Sequence, residues 1–365
     1  MGSLHAVDRA ADVSTRGRIV RTVGEAGAEI DGTWYQNFNL VEFDDVRYVF
    51  SHRAILTLVV TAACNAGCHF CSNEITFTPS GPFLEWNDRL ARVKDFALLS
   101  GVTKVAYTGG EPTLHPQKLL ELVGAMSPGF RRSRIHTNGW GLSKPVQHNG
   151  VTQELLPALI SAGLTGISVS VAHHDTETNK RVMALPRTWG GMSDDALADI
   201  ASRADASFTP RLSCVMTHDG VSSVADMAAY LEWGYGLGYR RFIFRTCSDI
   251  PDGYKKPTDF SAYNDRNTRS IEPLSSEFQS LLDAELVFRQ RKSDSKVDVF
   301  HWRDAVIDLD ESSEELDPDD KIRRLNVMPD GVVYTSWISP TSNLFTDDRP
   351  VVERSVAKEN LPVLN

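Results

Sequence analysis

A chain of 365 residues with 41% hydrophobic residues can build one large α/β domain with an appendage, or two ordinary domains, and wholesale disorder is excluded. A formal charge of −10 and a pI near 5.5 argue against a general affinity for nucleic-acid backbones or anionic membranes. No apolar run approaches spanning length and no basic-then-apolar leader opens the chain. Five cysteines, three of them between Cys64 and Cys71, do not look like a secreted disulfide framework, so a reducing cytoplasm is the expected home.

Residues 1–18 are polar and are expected to fray. From Arg18 to Phe50 short β-prone runs, Thr33 to Tyr35 and Val46 to Phe50, lie between Gly and Asp turns and predict an N-terminal β extension over residues 1–50. Over residues 51–250 the pattern alternates. Apolar runs at Ile55 to Val60, Lys104 to Tyr107, Arg134 to His136, Gly166 to Val171, Arg211 to Met216 and Arg241 to Phe244 read as strands. Stretches such as Asp88 to Leu99, Lys118 to Val123 and Val224 to Trp233 have helical spacing between them. Six strands, each followed by a helix or crossover, predict a right-handed parallel sheet of partial-barrel, (β/α)6 TIM-like form, with its site at the strands' C-terminal ends. After Pro251 the character changes to a smaller C-terminal α+β module over 251–365. It holds a helix over roughly Ser275 to Lys292, a strand over Val297 to Trp302 and two strands around the Pro329-Asp330-Gly331 turn. Between them, Asp308 to Asp320 holds eight carboxylates and no basic residue and reads as a solvated loop.

The loop Cys64-Asn-Ala-Gly-Cys68-His-Phe-Cys71 follows the first long apolar strand directly. Thiolates are soft ligands for iron–sulfur clusters or zinc. Three of them on one loop can hold three irons of a cubane and leave the fourth open. A structural zinc site wants four protein ligands, and His69, Cys214 and Cys247 are poor or remote candidates for the fourth. The second strand ends in Thr108-Gly109-Gly110-Glu111-Pro112. Two glycines admit a close ligand there, and Glu111 offers a carboxylate to an ammonium, although a plain strand-to-helix turn would use the same residues. Alternation places Ser168 and Ser170 on one face of the fourth strand, and Arg211 and Ser213 on one face of the fifth. That leaves Cys214 toward the helices as a buried structural thiol. On the sixth strand Arg241, Ile243, Arg245 and Cys247 share a face until the strand breaks. His136 with Thr137, and His173 with His174, stand near strand ends. Together with Arg211 and Arg245 they suit a polar or carboxylated small molecule.

The cysteine loop followed by Gly-Gly-Glu-Pro resembles the signature of the radical S-adenosylmethionine (SAM) superfamily. Residues 51–250 resemble the partial barrel of the molybdenum-cofactor cyclase and related peptide- and sugar-modifying members. The resemblance implies one 4Fe–4S cluster on Cys64, Cys68 and Cys71, with SAM bound beside it. Phe70 would lie against the adenine, Gly109, Gly110 and Glu111 at the methionine end, Ser168 and Ser170 on the nucleoside side, and Thr246 near the adenine. His136, Thr137, His173 and Arg211 would face the substrate. From their places at and just past the end of the sixth strand, Arg245 and Cys247 are the candidate catalytic residues, the thiol either returning hydrogen to a substrate radical or serving as an inert wall. The resemblance further implies a one-electron reductant such as flavodoxin or ferredoxin. Its substrates would be sugars, nucleosides or aminoglycosides of natural-product pathways, with decarboxylation, dehydrogenation or epimerisation as the outcome. The C-terminal module is similar to the twitch or SPASM tail. That tail commonly carries cysteines, whereas no cysteine follows Cys247 here and Ser336 stands in the tail position, so no auxiliary cluster is expected. A maturase of a ribosomally made peptide and a zinc-binding scaffold are the alternative readings.

Overall fold

In the computed structural model of the protein, residues 20–350 are described, except 25–27, 31–32, 36–37, 44–45, 76–80, 293–294, 313–320 and 347–348. The polar leader over 1–18 lies outside the described residues.

Each predicted β-branched run forms a strand: β1 (Val46–Val59), β2 (Lys104–Thr108), β3 (Arg132–Thr137), β4 (Gly166–Ser170), β5 (Thr209–Val215) and β6 (Arg241–Arg245). They pair in chain order, every neighbour parallel. Two further parallel strands come from the region expected to be a separate module. β7 (Ala305–Ser312) pairs with β6, and β8 (Ile322–Val327) pairs with β1 at the opposite edge. The sheet order is thus β8-β1-β2-β3-β4-β5-β6-β7. No pairing joins β7 to β8, so the partial barrel stays open.

Alternation decides which face meets the helices. Leu56, Val105, Ile135, Ile167, Leu212, Phe242, Ile307 and Leu325 all point outward into one buried core. Against them pack α1 (Asp88–Leu99), α2 (Pro116–Met126) and α3 (Val224–Gly236), through Phe96, Leu119 and Tyr230 among others. Each fully buried Leu or Phe contributes roughly 1.5–3 kcal/mol. Polar caps set where helices begin. The Asn87 side chain accepts from Leu90 N, and Ser223 with Asp226 closes a reciprocal capping box on α3.

Three expectations are corrected. The helix placed over Ser275 to Lys292 is instead α4 (Ile271–Leu282), followed by a strand, Glu285–Lys292. Asp283 turns into the left-handed region at φ 49° and ends the helix. The next residues pair antiparallel with Ser295–Trp302, which itself pairs antiparallel with β7. The acidic stretch is not all loop. Its first residues, Asp308 to Ser312, belong to β7, because Ile307 and Leu309 alternate with Asp308 and Asp310 and are fully buried. The boundary expected at residue 50 falls inside β1, which runs unbroken from its antiparallel partner Phe38–Phe43 into the barrel. Among the described residues no helix is long and apolar enough to cross a membrane.

Candidate active site

The cysteine loop leaves β1 at the barrel's C-terminal rim and is fastened from two sides. From β2, Val60 N donates to Thr108 O at 2.8 Å, Gly110 N to Thr61 O at 2.7 Å and Glu111 N to Ala63 O at 2.8 Å. This close approach explains both glycines. A Cβ on Gly109, at φ 145°, would stand 2.3 Å from the Thr61 carbonyl oxygen, and one on Gly110 only 2.0 Å from that of Ala63. The sequence reading gave these glycines to a ligand's approach; the closest approach present is that of the cysteine loop's own backbone. From the far side, Gly67 N donates to Ala184 O, and the Cys68 thiol to Met183 O at 3.2 Å. Phe70 packs there on the buried cluster Ala172, Val182, Met183 and Leu185.

Cys64 is exposed, while Cys68 and Cys71 are partly buried. Burial raises the Cys68 thiol, and the nearness of Cys71 and Cys64 raises it further, so the three sulfurs feel one another. Among the described residues no three His, Cys, Asp or Glu side chains close around a single metal ion. Three soft ligands in mutual range, without a fourth, fit a cluster of several irons better than a mononuclear zinc.

Glu111 is buried and tied within the chain. Its Oε1 accepts from Thr113 N, from the Thr113 hydroxyl and from the Thr137 hydroxyl at 2.5 Å, and its Oε2 accepts from Asn138 N at 2.7 Å. Asn138 in turn donates to Asn65 in the cysteine loop at 2.9 Å. Glu111 and Thr137 therefore lock the ends of β2 and β3 together beneath that loop. The rim also holds polar groups whose partners would be ligands. The buried Thr246 hydroxyl and the Asn65 side-chain nitrogen have no hydrogen-bond partner, and Ser170 is half-exposed at the end of β4.

Lower on the inner face lies a charged layer that the sequence revealed only in part. Ser168 stands beside His136 on one side and Arg211 on the other. Its hydroxyl accepts from Arg211 Nε at 3.0 Å. Asp308 of β7 faces Ile243, and Asp310 faces Arg245, whose Nε lies 3.2 Å away in an ion pair without hydrogen-bond alignment. Arg134 completes the layer from β3. Burial, with Arg134 and Arg245 adding to it, pushes Arg211 down to about 9, and burial with its cationic neighbours pushes Arg134 down to about 10. Burial and the guanidiniums of Arg211, Arg245 and Arg134 hold the His136 imidazole well below its usual value. Arg134, Asp308 and Asp310 escaped notice because only alternation on strands not yet assigned could place them.

Other predicted residues lie apart. His173 stacks on His174 at 4.4 Å, and its Nδ1 accepts from Asp175 N at 2.9 Å, in the turn after β4. Cys214 is fully buried, its thiol donating to Ala172 O, as the alternation of β5 requires. Cys247 is buried near Arg269 and Asp219, and its thiol is pushed up to about 12, chiefly by burial. Arg269 also faces Cys214, so past the end of β6 the Cys247 thiol keeps company with the outer layer rather than with Arg211 and Arg245.

Residues 58–199 match the family model of the radical SAM superfamily. Over that stretch the chain is similar to a radical SAM domain. Members of that superfamily use a 4Fe–4S cluster and SAM. The chain is 27% identical over 189 residues to a GTP 3',8-cyclase of Mycobacterium sp. (strain KMS), a match covering 50% of this chain and 49% of the relative. It is 36% identical over 124 residues to the GTP 3',8-cyclase of Chlorobaculum tepidum, covering 33% of each. The chain thus spans about half the length, or less, of the curated relatives it matches. The crystal structure of Streptococcus suis SuiB bound to precursor peptide SuiA shares the fold. Its TM-score is 0.50 at 12% identity, over 77% of this chain and 58% of that one.

Proposed function

We propose that this protein is a radical SAM enzyme that removes a hydrogen atom from a small polar molecule of sugar or nucleoside type held inside the barrel. Natural-product biosynthesis is the proposed setting, with decarboxylation, dehydrogenation or epimerisation as the outcome. The observation that carries this reading is the presence of two zones in one barrel. A three-thiol loop fastened onto a Gly-Gly turn occupies the C-terminal rim, and a polar layer from His136 to Asp310 lines the inner face beneath it. The relatives' activity keeps a purine nucleotide within the proposed substrate range. An aminoglycoside, also expected from the sequence, fits poorly, because a polycation would meet Arg134, Arg211 and Arg245.

In this reading Cys64, Cys68 and Cys71 hold the cluster, and Phe70, Ser170 and Thr246 meet SAM. Once bound, these cofactors supply one-electron cleavage of the sulfonium and a 5'-deoxyadenosyl radical able to take hydrogen from carbon. The protein's own part is positional. The Glu111–Thr137–Asn138 lock fixes the rim, and Ser168 aims Arg211. The polar layer orients one substrate bond toward the rim, where effective concentration lowers the barrier. Cys64, exposed at the surface, marks the face where a flavodoxin- or ferredoxin-type reductant would dock, in a cytoplasmic setting.

Anaerobic reconstitution with iron and sulfide tests the proposal. We expect one cubane per chain and formation of 5'-deoxyadenosine from SAM and dithionite, with both lost in the variant carrying alanine at positions 64, 68 and 71. Stoichiometric zinc without iron, or full turnover by that variant, would defeat it.

A further inference from the structure

We infer that Arg211 and Arg245 grip an oxyanion of the substrate, a carboxylate or a phosphate ester, inside the barrel. This rests on the enzymatic reading above and specifies the substrate class. The inner face between β3 and β7 carries five guanidiniums, Arg132, Arg134, Arg211, Arg241 and Arg245, against two carboxylates, Asp308 and Asp310. Arg211 and Arg245 have almost all of their donors to spare. The hydrogen bond of Arg211 to Ser168 uses Nε, and the ion pair of Arg245 with Asp310 has Nε 3.2 Å from the carboxylate without hydrogen-bond alignment. Among the described residues the terminal nitrogens of neither guanidinium donate a hydrogen bond within the chain.

A guanidinium stays charged in a protein, and the half-buried forks of Arg211 and Arg245 keep donors open toward the lumen. Two parallel N–H donors match the two oxygens of a carboxylate or phosphate. The crowding shows in each partner. Burial lowers both arginines, with Arg134 and Arg245 adding to it at Arg211 and Arg132, Arg241 and Arg245 at Arg134, while burial outweighs the cations at Asp308 and raises its carboxyl, which weakens one of the two groups that could balance them. His136 is held neutral beside them and can donate one hydrogen bond without adding charge. Ser168, itself buried, fixes the plane of the Arg211 fork. An entering anion would thus meet prealigned donors and relieve the repulsion among them.

The test uses the full-length, anaerobically reconstituted protein with SAM present, titrated calorimetrically with inorganic pyrophosphate, with succinate, and with neutral trehalose. One of the two anions should bind, pyrophosphate indicating a phosphorylated substrate and succinate a carboxylated one, and its affinity should fall as potassium chloride rises. Trehalose should not bind. Arg211→Met and Arg245→Met should each weaken the anion about tenfold or more, since one charge-assisted hydrogen-bond pair is lost. Arg211→Lys should recover part of that loss, and Asp308→Asn should tighten binding severalfold, an increase that a purely structural disturbance would not produce. Iron content should be unchanged in every variant. The inference is overturned if neither anion binds the wild-type protein, or if binding survives both methionine substitutions, or if Asp308→Asn leaves it unmoved. Formation of 5'-deoxyadenosine without substrate, followed in the same samples, judges the radical SAM reading separately from the anion site.

Discussion

At the scale of single residues, His136 makes a measurable statement about stability. Burial and three guanidiniums keep its imidazole neutral in the folded protein well below 6.5, the value at which a free histidine takes a proton. The unfolded chain therefore binds one more proton than the native one as pH falls below 6.5, and native stability must drop over that window. We expect urea unfolding at about pH 7.5 and about pH 5.5 to show a loss that His136→Asn reduces by up to about 1.4 kcal/mol per pH unit. The cysteines and glycines of the rim were legible because their spacing is local. Glu111 was only half-legible. Its motif marked it, but the Thr137 and Asn138 groups that occupy its oxygens lie on another strand, and only the folded sheet brings them together. Cys247 shows the limit of alternation, which stops predicting direction once β6 ends at Arg245.

At the scale of elements, the two rim loops act as one piece. The stem of the cysteine loop and the turn after β2 are joined by two backbone hydrogen bonds, and Gly110 sits at their closest approach. Gly110→Ala should push Ala63 away and carry Cys64 with it. We expect iron incorporation to fall severalfold while far-ultraviolet circular dichroism stays near that of the wild type; full iron loading would show that the two loops are not coupled in this way. Helices α1 and α3 were readable because apolar spacing and capping residues coincide at Asn87 and Ser223. The segment after Asp283 was not. Glu285 to Lys292 carries charges at positions compatible with either a helix or an edge strand, and pairing with Ser295–Trp302 settles the choice. The acidic run misled for a related reason, since carboxylates that face a barrel lumen look in sequence like carboxylates that face water.

At the scale of the whole molecule, six barrel strands could be placed from sequence; β8 was legible as a strand before the Pro329 turn but not as part of the barrel, and β7 not at all, because both join neighbours that are remote in the chain. β7 brings two carboxylates to an inner face on which the arginines of β3, β5 and β6 outnumber them, a positive interior inside a protein whose formal charge is −10. Low-dielectric walls around such an interior concentrate its field on whatever enters. Removing the chain from residue 313 onward should strip β1 of one of its two parallel neighbours, and we expect that truncated protein to purify without a full complement of iron. The strand that presents the cysteines receives its second parallel neighbour only when Leu325 and the residues around it exist, long after Cys71 has been made. A nascent chain leaving the ribosome therefore carries its thiols on an unfinished edge until those residues have been made. The loop that holds the sulfurs can thus be complete before the wall beside it exists.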